Sequence, residues 1–514
     1  MSIHRTGPSL LQVRQSLRKP FSNFDFVEDK FGDYPAIRRL FSLSRSYGGR
    51  SLIVEDIEPM GVIADENQEI SEYFRDYRCE GVKRISFWKS NRFARRRSAD
   101  LLGYAILKKD VVHSKNYNQW HVFESVFVKY PDSHNCVAGL KRFFVSVGRS
   151  RYHIDGILYC QQNGLNKACA QVALRSVCSI HIPDQELSYR RINELAAKGE
   201  PVVTPGKGLS VLQIRAVLDG LGLRFHDLEY EQEPEARQDQ PYQKFLYAGV
   251  ESGNGALLGF QLTGPEAEKD QYHIIPFYGH TFNQDTWAPN AEVAYFKIGS
   301  HTRYLPSETW LSSFIGHDDN FGSNFCVPRL YVTPEQANYV IEIFGRNVLY
   351  SGVAAEAVGV QYLYSLLAKI LPSESSWMRR LFKYVKSQQV VLRAVSMDRR
   401  QYVAHLKKMR GWKNTKEFFR TRSLFSLLAS EMPEHLWVIE ISIPELFPAN
   451  QRKLGEIVLD ATKELSDELD FSLFLFARFP GKYMFFEKMD HGKPEFFSLP
   501  SRITTHTELY HFCK

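Results

Sequence analysis

The stretch QQNGLNKACAQVALRSVC, residues 161–178, sets two Gln, an Asn and a Gly just ahead of a Cys that opens an apolar run. Ala170, Ala173, Leu174 and Val177 recur at spacings of three and four, the stripe of a helix packed on one face, so a helix is expected to start near Ala168. That start places Cys169 at a helix N-terminus, where unsatisfied backbone N–H groups and the helix dipole favour a thiolate. A free Cys is more often a small buried hydrophobe. What sets Cys169 apart is its upstream neighbourhood: the amides of Gln162 and Asn163 are able to donate to an oxyanion, and Gly164 lets the chain turn into the helix.

A nucleophile also needs a base and a group that orients the base. Candidates stand about a hundred residues on, in QYHIIPFYGHTFNQDTWAP, residues 271–289. His273 begins an apolar strand, Gly279 permits a turn, and Asp285 stands just before Trp287. A His on one strand of a hairpin can face a carboxylate on the other, and such a carboxylate fixes the imidazole tautomer. His280, five residues from Asp285, is an alternative base, because its surroundings are more polar than those of His273. Trp287 reads as an aromatic of the site wall.

The order of amide-rich turn, Cys opening a helix, His followed by five apolar or aromatic residues and Gly, then Asp-Thr-Trp resembles the papain-like cysteine peptidases. The intervening GLSVLQIRAVLDGLGL and the Gly-rich GVESGNGALLGF are similar to bacterial peptidases that cleave double-glycine leaders, which share that fold and use Asp in place of Asn. The likeness spans residues 158–300. It implies an α+β fold in which a helix carrying Cys packs on an antiparallel sheet carrying His and Asp; the flanks lie outside the likeness and read from their residues as two further α+β domains. By position it makes Cys169 the nucleophile, His273 the general base and acid, Asp285 the orienting carboxylate and Gln162 or Asn163 the oxyanion donor. Gln162 is favoured, although Asn163 holds the family's spacing of six residues before the Cys. The implied activity is hydrolysis of an amide or isopeptide bond in a protein or peptide, with no cofactor and no metal. Two rival expectations share the region: a transglutaminase-like acyltransferase with the same Cys, His and Asp, and a catalytically inactive papain-like module that binds partners.

The rest of the chain bounds these expectations. At 514 residues it is too long for one ordinary core. Three segments are expected: 1–150, mixed α+β and a place for partner or substrate binding; 151–335, the hydrolase segment; and 336–514, helices followed by strands. In the first, RSLIVEDIE, LLGYAILKK and WHVFESVFVKY read as strands. In the second, Ser210 is an N-cap and Gly220 or Gly222 a helix stop, while GALLGFQLTG and YHIIPFYG read as paired strands. In the third, residues 333–371 read as helical throughout, and HLWVIEISIPEL and FSLFLFARFPGKYMFFEK as strands.

Formal charge is +7, from 65 Lys and Arg against 58 Asp and Glu, a weak pointer to acidic partners. The stretch SFWKSNRFARRRSAD, residues 86–100, interleaves aromatics with cations and is the place for an acidic partner or nucleic acid, against the simpler reading of a solvated loop. Seven Cys without a CxxC pair suit a reducing compartment and give neither a disulfide framework nor a zinc site. With no apolar run of about 18 residues and no apolar leader, a cytoplasmic protein without membrane contact is expected. One more polar cluster, FIGHDDNFGSNFC, holds His317, Asp318, Asp319 and Asn320. Metal ligation is weighed against a turn bordering the Cys169 cleft, and the turn is preferred because adjacent residues on an extended chain point to opposite sides.

Overall fold

The computed structural model describes all residues except 1–8, 17–21, 92–95, 130–134, 166–167, 183–186, 200–207, 263–271, 282–295, 299–301, 371–374, 409–429, 431, 448–450, 466–470, 486–494, 499–506 and 510–514. Helices and largely antiparallel sheets make the chain an α+β protein. Two compact units share it: Met1–Leu223 with Leu257–Tyr278 and Ile315–Val327, and Arg224–Ala256 with Gly279–Phe314 and Pro328–Lys514. The segment expected as one hydrolase domain, 151–335, is thus divided between the two units. The boundary expected at 150 falls on a hairpin whose strands, Lys141–Val147 and Ser150–Tyr159, pair antiparallel.

The first unit is built on a seven-stranded sheet ordered Ser9–Ser16, Ser51–Ile57, Tyr77–Trp88, Leu101–Val112, Tyr117–Val128, Ser150–Tyr159 and Lys141–Val147. Every neighbouring pair is antiparallel. The three strand-like runs read from the sequence are its second, fourth and fifth strands, and Tyr77–Trp88 between them was not read. Side chains of a strand alternate between faces, and here both faces are covered. On one face Leu52, Ile85, Phe87, Leu107, Val122 and Phe127 pack with Val27, Phe31, Ile37, Leu40 and Phe41 of the helices Ser22–Phe31 and Pro35–Ser46. From the other, Lys108 pairs with Glu66 of the helix Val62–Tyr73 at 2.6 Å, and Glu124 with Arg175 of the helix Cys169–Cys178 at 2.7 Å. The Cys-bearing helix therefore rests on the sheet of the segment expected to be a separate N-terminal domain.

Four more strands form a run ordered Gly322–Pro328, Ser313–Asp318, Tyr272–Thr281 and Ala256–Gln261, mainly within the first unit. The last two are the pair expected from GALLGFQLTG and YHIIPFYG. Arg39 donates to the carbonyls of Ser323 (3.1 Å) and Asn324 (2.6 Å), which ties the turn after Asp318 to the helix Pro35–Ser46. Gly322 has φ +116, and a Cβ there would lie 2.9 Å from Arg39 Cβ, so the turn closes on this helix only with glycine.

The second unit has an eight-stranded sheet ordered Phe296–Ile298, Thr302–Pro306, Val391–Asp398, His435–Ser442, Gly455–Asp460, Phe474–Phe479, Lys482–Phe485 and Glu495–Ser498. Thr302–Pro306 and Val391–Asp398 run parallel, the other pairs antiparallel. The helix Gly352–Leu367 packs Val360, Leu363 and Leu366 onto Ile439, Ile441 and Ile457 of this sheet. One expectation is corrected here: residues 333–371 are not helical throughout. Ala337–Gly345 is a strand paired antiparallel with Arg224–Glu229, because its β-branched run Val340, Ile341, Ile343 fits a pleated surface better than a helix. Among the described residues, no helix is long and apolar enough to cross a membrane.

Candidate active site

Cys169 is the first residue of its helix, and Ala168 before it caps no backbone N–H with its side chain. Residues 170–178 are all buried, which leaves Cys169 as the half-buried, accessible end of a fixed element. Arg175 holds that element in place: its guanidinium pairs with Glu124 and donates to the Phe123 carbonyl at 3.3 Å.

His273 lies near the start of its strand, with the Phe260 ring edge-on at 5.6 Å. Its Nε2 is 3.1 Å from Asp318 Oδ2 and 3.5 Å from Asp319 Oδ1. Asp318 is the last residue of the neighbouring strand, and its Oδ1 accepts from the backbone N–H groups of Asn320 (2.9 Å) and Phe321 (3.0 Å). Those bonds aim the carboxylate at the imidazole. Burial raises the Asp318 carboxyl, but the hydrogen bond from His273 and the two backbone donors outweigh it and hold the group below the usual range. For His273 burial works against the charged imidazolium, yet the bond to Asp318 and the charges of both carboxylates leave it raised above an ordinary imidazole.

Asp319, one residue further, is 5 % exposed, and among the described residues neither of its oxygens makes a hydrogen bond. Burial lifts its carboxyl to about 6; His273 opposes this, Asp318 adds to it, and the nearby backbone N–H groups of Asp319 and Asn320 pull the other way. Its charge also acts on Cys169, so Cys169, Asp319 and His273 share one electrostatic neighbourhood. Burial and Asp319 push the thiol up to about 11, against the pull of the Cys169 and Ala170 backbone N–H groups. The expected helix N-terminus effect is present, and it is outweighed.

The expectations divide accordingly. Cys169 and His273 stand in one unit with a carboxylate on the imidazole. The carboxylate is Asp318, from the cluster set aside as a turn; Asp285, assigned that role, and Trp287 lie outside the described residues. Reasoning on the sequence missed Asp318 because it treated 317–320 as one extended run. The strand ends at Asp318, so alternation stops there and two successive carboxylates converge on one ring. His317 does obey alternation. It points away from His273, buried between Tyr159 (5.4 Å) and Tyr278 (4.5 Å), and burial drives it down to about 3, a neutral core residue.

His280 is corrected as the alternative base. It is fully buried, with Nε2 on Glu251 Oε1 at 2.6 Å and Nδ1 on the Thr281 carbonyl at 3.1 Å, so both nitrogens are committed. Asn163 is corrected as an oxyanion donor: its Nδ2 donates to buried Glu66 at 2.8 Å, inside the fold. Gln162 keeps the role open, since its half-exposed amide reaches Asn320 Oδ1 at 3.4 Å, beside the two carboxylates.

Among the described residues, the aromatics of the basic stretch do not lie at the surface. Phe87 and Trp88 are core residues, and Arg96 stacks over Trp88 at 4.3 Å and donates to Ser51 Oγ at 3.2 Å. Beside it opens a cavity of about 710 Å³ lined by Leu101, Leu102 and Ile154, by the cations Lys89, Arg97 and Lys129, and by His153 and one carboxylate, Asp155. Comparison with protein-family models, with curated proteins and with solved structures found no match.

Proposed function

We propose that the first unit carries a papain-like thiol hydrolase site that cleaves an amide or isopeptide bond in a protein or peptide. The observations that carry this reading are the bond from His273 to a well-anchored Asp318 and the charge that Asp319, against the same imidazole, exerts on Cys169 at the open end of a buried helix. Asp318 holds Nε2, so Nδ1 is the nitrogen left to take the Cys169 proton. A thiol at about 11 does not rest as a thiolate at neutral pH, and the proton leaves as the sulfur attacks the acyl carbon. The tetrahedral oxyanion is met by the Cys169 N–H and the Gln162 amide. Protonated His273 gives its proton to the leaving amine, and water, deprotonated by the same ring, breaks the thioester.

The test is the pH dependence of Cys169 modification by iodoacetamide and by a peptide acyl probe, in wild type and in His273→Ala and Asp318→Asn. Acylation of Cys169 that both variants lose supports a His-assisted nucleophile. Equal rates in all three proteins, rising only above about pH 8, describe a plain thiol and sink the reading. An added primary amine that captures the acyl group would turn hydrolase into transferase. The cation-lined cavity favours a second reading, a binding module for an anionic partner; it predicts binding that weakens with salt and ignores Cys169→Ser.

A further inference from the structure

A Cys and His site needs one carboxylate to orient the imidazole, and Asp318 supplies it. Asp319 is the surplus: a second carboxylate, buried against the same nitrogen, with no hydrogen bond of its own among the described residues. Buried polar atoms without protein partners are few in folded proteins, and those that occur often hold a water or an ion. Here the geometry selects between the two. His273 Nε2, an Asp318 oxygen and an Asp319 oxygen all lie within 4.8 Å of one another. Two of the edges measure 3.1 and 3.5 Å. Ligands at the usual zinc distances of about 2.0–2.2 Å in a tetrahedron stand about 3.4 Å apart. One imidazole and two carboxylates also match the hard-to-borderline donor set of such an ion, and its two positive charges would cancel the two carboxylates buried there.

We propose that His273 Nε2, one oxygen of Asp318 and one oxygen of Asp319 bind a divalent transition-metal ion of the zinc type, and that this ion switches the Cys169 site off. The binding stands on the three ligands alone, while the switching rests on the thiol-hydrolase reading. With the ion on Nε2, the neutral imidazole must carry its proton on Nδ1, the nitrogen that would take the proton from Cys169. The base is then occupied twice over, and the thiol keeps its proton. Removing the ion restores the hydrogen bond between His273 and Asp318 and frees Nδ1. No bond is made or broken beyond the metal–ligand bonds, and the fourth position is left to water.

The experiment is a zinc titration of the chelator-stripped full chain against a chromophoric chelator, run on wild type, Asp319→Asn, His273→Ala and Cys169→Ser, with circular dichroism as the check on folding. In parallel, the rate of Cys169 labelling is followed with and without zinc. Expected are one zinc per wild-type chain, binding weakened at least tenfold in Asp319→Asn and His273→Ala, and binding unchanged in Cys169→Ser. Zinc should slow labelling in wild type, and at the same concentration should do so far less in Asp319→Asn. Absence of stoichiometric binding to wild type, or equal affinity in wild type and Asp319→Asn, overturns the site. Lost affinity in Cys169→Ser overturns this ligand set in favour of a thiolate one. Zinc that binds through Asp319 yet leaves labelling untouched overturns the switch. Failure of the hydrolase reading would look different, as metal-free wild-type protein whose Cys169 labels no faster than in His273→Ala.

Discussion

Both units bury charge, and two of their sites do it in opposite ways. In the second unit Arg393 is paired in register with Glu440, Glu440 with Glu456 and Glu456 with Arg478, a row across four adjacent strands. Two glutamates directly opposite each other would repel. Lys453 sits between them, 2.7 Å from Glu440 and 2.6 Å from Glu456, while Arg393 reaches Glu440 at 2.8 Å. Each carboxylate has a cation, all of them are sealed from solvent, and the row serves the register of the sheet. The first unit brings two carboxylates to one imidazole and leaves one of them without a hydrogen bond. In the row each carboxylate has an Arg or Lys cation at 2.6–2.8 Å, whereas Asp319 has, among the described residues, only an imidazole at 3.5 Å, and local deficits of this kind gather where a protein does chemistry or binds ions.

The largest expected effect breaks the comparison on its functional side. Cys169→Ser should abolish covalent acylation, and His273→Ala should lower its rate by about 10²–10⁴, the usual contribution of a positioned base; time-resolved intact mass measures both. Next comes stability. Glu440→Gln strips Arg393 and Lys453 of a shared counter-charge and should destabilise the second unit by about 3–5 kcal/mol. Asp319→Asn removes a charge without a hydrogen-bonded partner and should be neutral or stabilising. Urea midpoints decide this pair, and comparable losses in the two variants would erase the distinction drawn between the sites.

Two buried groups, one in each unit, respond to pH with opposite sign. Glu342, which accepts from the Gly352 N–H at the start of a helix, has its carboxyl lifted by burial to about 8. A folded value above the unfolded one, about 4.3, means that its contribution is complete below that value and is lost as pH rises towards 8. In the first unit burial lowers His121, so its contribution is complete above about 6.5 and is lost as pH falls. Unfolding followed separately in each unit should show that Glu342→Gln removes a loss of up to a few kcal/mol towards alkali from the second, and that His121→Phe removes a loss towards acid from the first.

How far these sites could be read from letters depended on whether the signal was local. The helix at Cys169 was legible from its apolar spacing, and Ser210 was legible as a cap: its side chain accepts from the Gln213 N–H while Gln213 reaches back to the Ser210 N–H. Gly222, with φ +68, ends that helix region as read. Ser51–Ile57, Leu101–Val112, Tyr117–Val128 and His435–Ser442 were legible from β-branched and aromatic runs, while the interior strands Tyr77–Trp88 and Val391–Asp398 were not. The strand Ala337–Gly345 was not, since a short apolar run beside a helix carries no period that separates the two. Asp318 was illegible for another reason: its role depends on where a strand stops, and strand ends are set by pairing with distant residues.

The smallest effect sharpens the boundary between the site and its support. Gln162 and Asn163 are neighbours with nearly the same chemistry, and the fold gives them different work. Asn163 is 2 % exposed, donates to Glu66 and accepts from the Leu165 N–H at 3.1 Å, so it fixes the turn that delivers Cys169. Asn163→Ala should cost about 1–2 kcal/mol, because Glu66 loses a buried donor, and should leave the acylation rate of the folded protein nearly unchanged. Gln162→Ala should do the reverse, with stability held and acylation slowed by about 10²-fold, the loss typical of one oxyanion donor. Stopped-flow acylation and thermal melts on the two variants separate these outcomes. If Asn163→Ala slows acylation as much as Gln162→Ala, the oxyanion is held by the shape of the whole turn, and the amide of Gln162 loses its separate role.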